Sequence, residues 1–432
     1  MGRYQPIRLL LLALSVLIPL NVWSLPPHLP YPNLPGKFVR FSELDKCPDL
    51  PRRETPKSAK DVRPDDIRVV MALGDSISAG LLARPSRTSS SSVLPQIPFL
   101  PKSVDIQEYR GVSYPIGSDP GAVTIPNILS HFITSSSEPG TKVQGGSTGH
   151  HPPVACLQGL GVRGCMPRPD EDGLNAAISG SVSASLLRQA EDLPPRLSEL
   201  GLPKEGEWAY LNLGIGANDI CAFCLSPNIS LSGDFSFAWE FGSPGSPKQF
   251  ANDIRTAINA LRPHLPHLIV NIVGLLRVSS LYRLTLKSPY CQPPLLPHIP
   301  HLPLECGCAM IPGPAGDWTR RKMDELGEEY DEAVLELVRE WEQEGDDGFG
   351  VIWWPGSAID LESYPIKALS PLDCFHPSEA AHQRVAAGFW NRLTLSLEKK
   401  YLPIKWEEDI WVRCLEEHDR FPIGMVSGSL QT

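Results

Sequence analysis

The chain has 432 residues, 42% of them hydrophobic, and carries 39 lysines and arginines against 49 aspartates and glutamates, for a formal net charge of -10. That length buries a large core, whether as one α/β domain with long insertions or as two or three smaller domains. The acidic balance and the absence of any basic cluster exclude a nucleic-acid partner.

Residues 1–24, "MGRYQPIRLLLLALSVLIPLNVWS", place Arg3 and Arg8 before an apolar run from Leu9 to Leu20 and end on Val22-Trp23-Ser24. This reads as a cleaved secretory signal; an uncleaved anchor is the alternative, although the run is short for a bilayer span. Loss of the two arginines takes the mature charge to about -12. Residues 25–61 are rich in proline and have no sustained period, so they read as an irregular lead-in to a catalytic domain over 62–400.

"DIRVVMALG" is an apolar run closed by Gly74 and predicts a buried strand. "LNAAISG" from Leu174, "WAYLNLGIG" from Trp208, "HLIVNIVGLL" from His267 and "FGVIWWP" from Phe349 read likewise. Helical periods fall between them. One starts at Phe250 and one at Ser378, where Ser378 suits a cap; the strongest runs from Trp318 to Trp341, with Met323, Leu326, Tyr330, Val334, Leu337 and Trp341 on one face and Asp317 as its cap. Strands alternating with helices predict an α/β fold with a mainly parallel sheet, whose sites lie beyond the carboxyl ends of the strands. Three insertions interrupt the alternation: a serine-rich one at 84–104, a Gly/Pro-rich one at 134–170 and a Pro-rich one at 278–316. No later segment offers a membrane span, no internal repeat is evident, and the extension over 401–432 ends too polar for a lipid-anchor signal.

The ten cysteines all lie after the signal, an even number that predicts disulfides in a secreted chain. Cys47 with Cys414 and Cys156 with Cys165 are the first pairings to test, though spacing does not fix connectivity. "CAFC" at 221–224 could be a redox pair, but its place directly after Asn218 favours a pin for the site loop. Asn228-Ile229-Ser230 is a glycosylation acceptor that fits the same compartment. His264 with His267, His298 with His301, and Cys306 with Cys308 have spacings that a metal could use, but they sit among prolines. We expect no metal and no cofactor.

Two serines compete for a nucleophile's role. "GGSTG" at 145–149 satisfies the G-x-S-x-G pattern, but "EPGTKVQ" before Ser147 is no buried strand and "HHPPV" after it cannot start a helix. Ser76 in "VMALGDSISAG" has the strand, the turn glycine and a helix-forming stretch after it. Gly180 in "NAAISGSVS" and Asn218 in "LGIGANDIC" also follow apolar runs, and Asp373 and His376 stand in "DCFHPS" before the last long helix.

These four blocks, in this order from about residue 62 to 398, resemble those of the GDSL or SGNH serine hydrolases. "EYRGVSYPIGSD", "ANDICAFC" and "DCFHPS" look like the phospholipase B branch. The resemblance implies a three-layer α/β/α, flavodoxin-like fold and hydrolysis of fatty-acyl esters in phospholipids and lysophospholipids. Under it, Ser76 is the nucleophile, His376 the base and Asp373 its orienting acid. The N–H groups of Ser76 and Gly180 and the amide of Asn218 would form the oxyanion hole, with Asp75 and Asp219 supporting the adjoining loops. In "EYRG", Tyr109 could line the acyl path and Arg110 could meet a phosphate, with a loop-anchoring ion pair as the rival reading. The expected partner is a lipid ester, at a membrane or micelle surface; an esterase for carbohydrate or small acyl esters, or a non-catalytic lipid- or glycan-binding protein, are the alternatives.

Overall fold

A computed structural model describes residues 31, 33–85, 106–136, 141–152, 169–223, 245–291 and 306–424. The signal segment, Asn228, Cys156, Cys165, Cys224, His298 and His301 lie outside the described residues. The strands are β1 (Phe38–Arg40), β2 (Ile67–Gly74), β3 (Trp208–Gly214), β4 (Leu268–Val273), β5 (Phe349–Trp354) and β6 (Trp411–Arg413). The helices are α1 (Ser76–Ala79), α2 (Ile125–Ser136), α3 (Pro169–Asp172), α4 (Leu186–Leu200), α5 (Ala217–Cys221), α6 (Pro247–Leu261), α7 (Val278–Thr285), α8 (Gly313–Glu344), α9 (Glu379–Trp390) and α10 (Leu397–Lys400).

Strands β2 to β5 form one parallel sheet in chain order, with Gly74 opposite Gly214 and Gly214 opposite Val273 at the carboxyl ends. Their sequences are nearly continuous apolar runs because both faces are covered. Side chains alternate between the faces. Val69, Met71, Leu73, Leu211 and Leu213 pack with α4, α6 and α8 in one core, while Val70, Ala72, Tyr210, Ile352 and Trp354 pack with α2 and α9 in another. This is the expected α/β/α sandwich.

The second of the five predicted strands, from Leu174, takes a different form. Residues 174–178 run parallel along the outer edge of β2, with Ala72 N–H bonded to Leu174 and Ala176 N–H bonded to Ala72, but they make only an isolated bridge. The reason lies on the outer side of this segment. The carbonyls of Asn175 and Ala177 accept from the Arg110 guanidinium at 3.1 and 2.8 Å, so a side chain, not another strand, closes the sheet edge. The spatial order is therefore the 174–178 segment, then β2, β3, β4 and β5. The chain leaves β2 toward one side for the 174–178 segment and toward the other for β3, which puts a topological switch point, the usual crevice for a ligand, at the carboxyl end of β2.

Several boundaries differ from expectation. α8 begins at Gly313, after Pro312 and with Pro314 in its first turn, so Asp317 is an internal residue paired with Arg320 at 2.6 Å and not the cap. Ser378 does cap α9, accepting from Ala381 N–H. The helix after Ser76 is a single turn, because Gly80 turns left-handed at φ 68°. Part of the 278–316 insertion is the helix α7. The proline-rich lead-in also contains order: β1 pairs antiparallel with β6, and Cys47 is bonded to Cys414, the first of the pairings named above.

Candidate active site

Strand β2 delivers the chain to Gly74, where a side chain would collide with Gly214 O at 2.5 Å and Ser78 Oγ at 2.6 Å. Only glycine lets the two strand ends approach this closely. Gln189 on α4 clasps the same residue, accepting from Gly74 N–H and donating to Gly74 O, both at 2.8 Å, while its amide also reaches Ser181 Oγ at 3.1 Å. Asp75 then accepts from Ile77 N–H at 2.9 Å and fixes the α1 turn that carries Ser76. Burial pushes the Asp75 carboxyl up to about 6, against that hydrogen bond and the charge of His376.

Ser76 Oγ lies 2.7 Å from His376 Nε2, and His376 Nδ1 lies 2.5 Å from Asp373 Oδ2. All three residues are buried. Asp373 Oδ1 accepts from the N–H groups of Phe375 and His376 at 3.0 and 3.1 Å, so one carboxylate both folds the loop and holds the ring. Between them Cys374 has φ 56°, a left-handed conformation rare for a residue with a Cβ, and is disulfide-bonded to Cys291. Burial raises the Asp373 carboxyl, but the positive charge of His376 and three hydrogen bonds outweigh it and hold the group below its ordinary value. A neutral His376 that gave its Nδ1–H to this carboxylate would present the Nε2 lone pair to the Ser76 hydroxyl proton.

Gly180 has φ 81° in a turn closed by Ser181 N–H to Ile178 O at 3.1 Å. It is exposed, and no atom lies within 4 Å of where a Cβ would stand, so the requirement for glycine there is conformational. Asn218 Nδ2 donates to Ser181 O at 2.9 Å, which joins the end of β3 to the Gly180 turn and leaves the amide a second hydrogen. Asp219 accepts from the Ser183 backbone N–H and hydroxyl; burial raises its pKa against those bonds, and nearby Asp253 adds to the rise.

Arg110 is buried. Besides the two edge carbonyls it meets Glu108 at 2.9 Å and Asp172 at 3.3 Å, and Ser179, next to Gly180, donates to Glu108 at 2.5 Å. Its guanidinium is thus engaged in anchoring the Gly180 turn, the rival of the phosphate reading. Tyr109 is buried and stacks on His150 at 5.3 Å. Ser147 is also buried, its hydroxyl donating to the Arg110 carbonyl at 3.0 Å. The "CAFC" redox reading fails, because Cys221 is bonded to Cys306. That bond also removes Cys306 from any metal set, and no group of three metal-ligating side chains occurs among the described residues.

Sequence reasoning missed His382, six residues beyond His376. It is buried, accepts from Tyr114 N–H through Nδ1 at 3.2 Å, and leaves Nε2 without a partner among the described residues. Burial, reinforced by the His376 charge, depresses it to about 3. A cavity of about 130 Å³ opens beside the site, lined mainly by apolar side chains and lacking Tyr109 and Arg110.

The sequence model of the GDSL-like lipase/acylhydrolase family matches residues 70–389. Membrane-associated phospholipase B1 from Mus musculus is 25% identical over 359 residues, which cover 81% of this chain and 21% of that protein. The Homo sapiens protein of the same name is 24% identical over 354 residues, 80% of this chain and 20% of that one. The chain therefore spans about one fifth of the length of these relatives. An extracellular lipase from Streptomyces rimosus overlaps with a TM-score of 0.29 at 12% identity, covering 73% of this chain and 94% of that structure.

Proposed function

The chain belongs to the GDSL-like lipase/acylhydrolase family, and on that premise we propose that it is a secreted serine esterase acting on the fatty-acyl esters of phospholipids and lysophospholipids. The observation that carries this reading is the continuous hydrogen-bonded chain from Ser76 through His376 to Asp373 at the carboxyl ends of the strands. His376 takes the Ser76 proton as Oγ bonds to the ester carbon. The imidazolium, steadied by Asp373, then protonates the departing alcohol as the ester C–O bond breaks. Water repeats the sequence on the acyl-enzyme and releases the fatty acid.

The oxyanion of each tetrahedral intermediate is held by the Ser76 and Gly180 N–H groups and the second amide hydrogen of Asn218. Asp219 and the Arg110–Glu108 network support the loops that present these donors. Secretion is supported by the disulfides, which persist in oxidising compartments, and among the described residues no helix is long and apolar enough to cross a membrane. The test is a substrate panel of diacyl phospholipid, lysophospholipid, triglyceride and acetylated sugar. Fatty acid release from the first two is the expected result. Acetate release without fatty acid would replace the phospholipase reading by that of a carbohydrate esterase.

A further inference from the structure

Four charged side chains meet out of contact with water behind the Gly180 turn: Glu108, Arg110, His151 and Asp172 are each 5% exposed or less. They alternate around a closed ring. Arg110 Nε lies 2.9 Å from Glu108 Oε2 and 3.3 Å from Asp172 Oδ1; His151 lies 3.8 Å from the same glutamate oxygen at Nδ1 and 2.9 Å from the same aspartate oxygen at Nε2. His151 Nδ1 also faces Pro152 O at 3.1 Å. A carbonyl and a carboxylate only accept, so each ring nitrogen needs a hydrogen to bond its partner. A neutral imidazole carries one and would set a buried lone pair against an oxygen. The imidazolium satisfies both sides, and two cations then match two carboxylates.

This cluster is tied to the turn on two sides. Glu108 accepts from the Ser179 hydroxyl at 2.5 Å through its other oxygen, and Arg110 donates to the carbonyls of Asn175 and Ala177 at 3.1 and 2.8 Å. His151 is in turn locked to Glu108 by two backbone bonds, Glu108 N–H to His151 O at 2.8 Å and His151 N–H to Glu108 O at 3.0 Å. The other charged or titratable groups nearby lie outside the ring: Asp119 accepts from Gly149 N–H at 2.8 Å, and His150 and Glu171 are exposed.

We propose that His151 is a positioning residue: its protonated ring completes the charge balance of this cluster and so holds the Gly180 turn, with one of the oxyanion donors, in place. The proposal rests on the esterase reading above and adds to it a group that acts through the Gly180 N–H. On the acid side of the His151 titration the four charges sum to zero. On the alkaline side the ring has given its proton to solvent, and one negative charge is left buried without a match. Hydrating that charge requires the cluster to open, and opening it releases Ser179 and the turn beside it. Activity therefore falls as pH rises through this titration. The sign is opposite to that of His376, which must be neutral to act as base, so activity rises with pH through the His376 titration.

The test is the pH dependence of kcat and KM, from about pH 5 to 9.5, for the full chain acting on p-nitrophenyl butyrate. Wild type should give a bell-shaped profile. His151→Gln should lose about tenfold in kcat at pH 7 with KM within about twofold, because the oxyanion donor acts in the transition state, and should lack the alkaline limb. Adding Asp172→Asn to it removes the unmatched negative charge and should bring kcat back to within about threefold of wild type; a purely structural defect would deepen with the second substitution. His418→Gln, at an exposed histidine, should keep the wild-type profile. If His151→Gln does not fold, the imidazole nitrogen-15 signals of wild type, assigned by their loss from the double variant, decide the matter: both His151 nitrogens should carry protons at about pH 7. A singly protonated ring at that pH, a wild-type profile in His151→Gln, or no recovery in the double variant would overturn the proposal while wild-type turnover keeps the esterase reading. Wild type without turnover at any pH would overturn both.

Discussion

Ser76 and Ser147 are both buried serines in glycine-flanked turns, and what separates them is the group facing each hydroxyl. Ser76 meets an imidazole nitrogen at 2.7 Å; Ser147 meets a backbone carbonyl at 3.0 Å, which cannot take its proton. Steady-state hydrolysis of an octanoate ester should therefore fall by about 10³-fold or more in Ser76→Ala and His376→Ala. Ser147→Ala should keep most of the activity, and Asn218→Ala should lose about 10²- to 10³-fold if its amide serves the oxyanion. Full activity in Ser76→Ala would remove the site from this location. The residues proposed as nucleophile, base and acid could be singled out in the sequence because they stand in short blocks after apolar runs. Gln189 was not, since its bonds to Gly74 span 115 residues and glutamine inside a helix carries no local signal. Arg110 was ambiguous for a related reason: an arginine's reach reveals nothing about which acceptors the fold will bring to it.

Among the elements, α8 and α10 show how tertiary context overrides local pattern. The apolar stripe of α8 was readable, but its start was not, because Gly313 and Pro314 read as breakers although proline suits a first helical turn. The stretch at 174–178 has strand composition, yet its outer carbonyls go to Arg110. At α10, Lys400 is buried with Nζ donating to Trp353 O at 2.6 Å and lying 4.6 Å from the Trp354 ring centre. Burial depresses its pKa from the ordinary lysine value to about 7. Between about pH 7 and 10 the unfolded chain keeps a proton that the folded chain has lost, so this group makes stability rise with pH across that window and fall again as pH drops to 7. Urea midpoints at pH 7 and 9.5 should show a smaller alkaline gain in Lys400→Met than in wild type. Equal gains would mean that Lys400 is charged in the folded protein.

For the whole molecule, alternating strands and helices predicted the α/β sandwich, and the order of the site blocks agrees with a switch point at the end of β2. The closure of the chain on itself was less visible. β1 and β6 are three residues each, and their pairing, with the Cys47–Cys414 bond across a sequence separation of 367, depends on segments that meet only in the folded state. Replacing both cysteines by serine should lower unfolding free energy by about 2–5 kcal/mol in urea; no change would mean that the terminal clasp contributes nothing to the domain. The central claim, that Ser76 is activated by His376 and Asp373, is tested most directly by treating the purified protein with a fluorophosphonate and mapping the adduct by mass spectrometry. The account predicts a single adduct on the peptide containing Ser76, abolished by His376→Ala. No adduct on the folded protein, or one on the peptide containing Ser147, would contradict it.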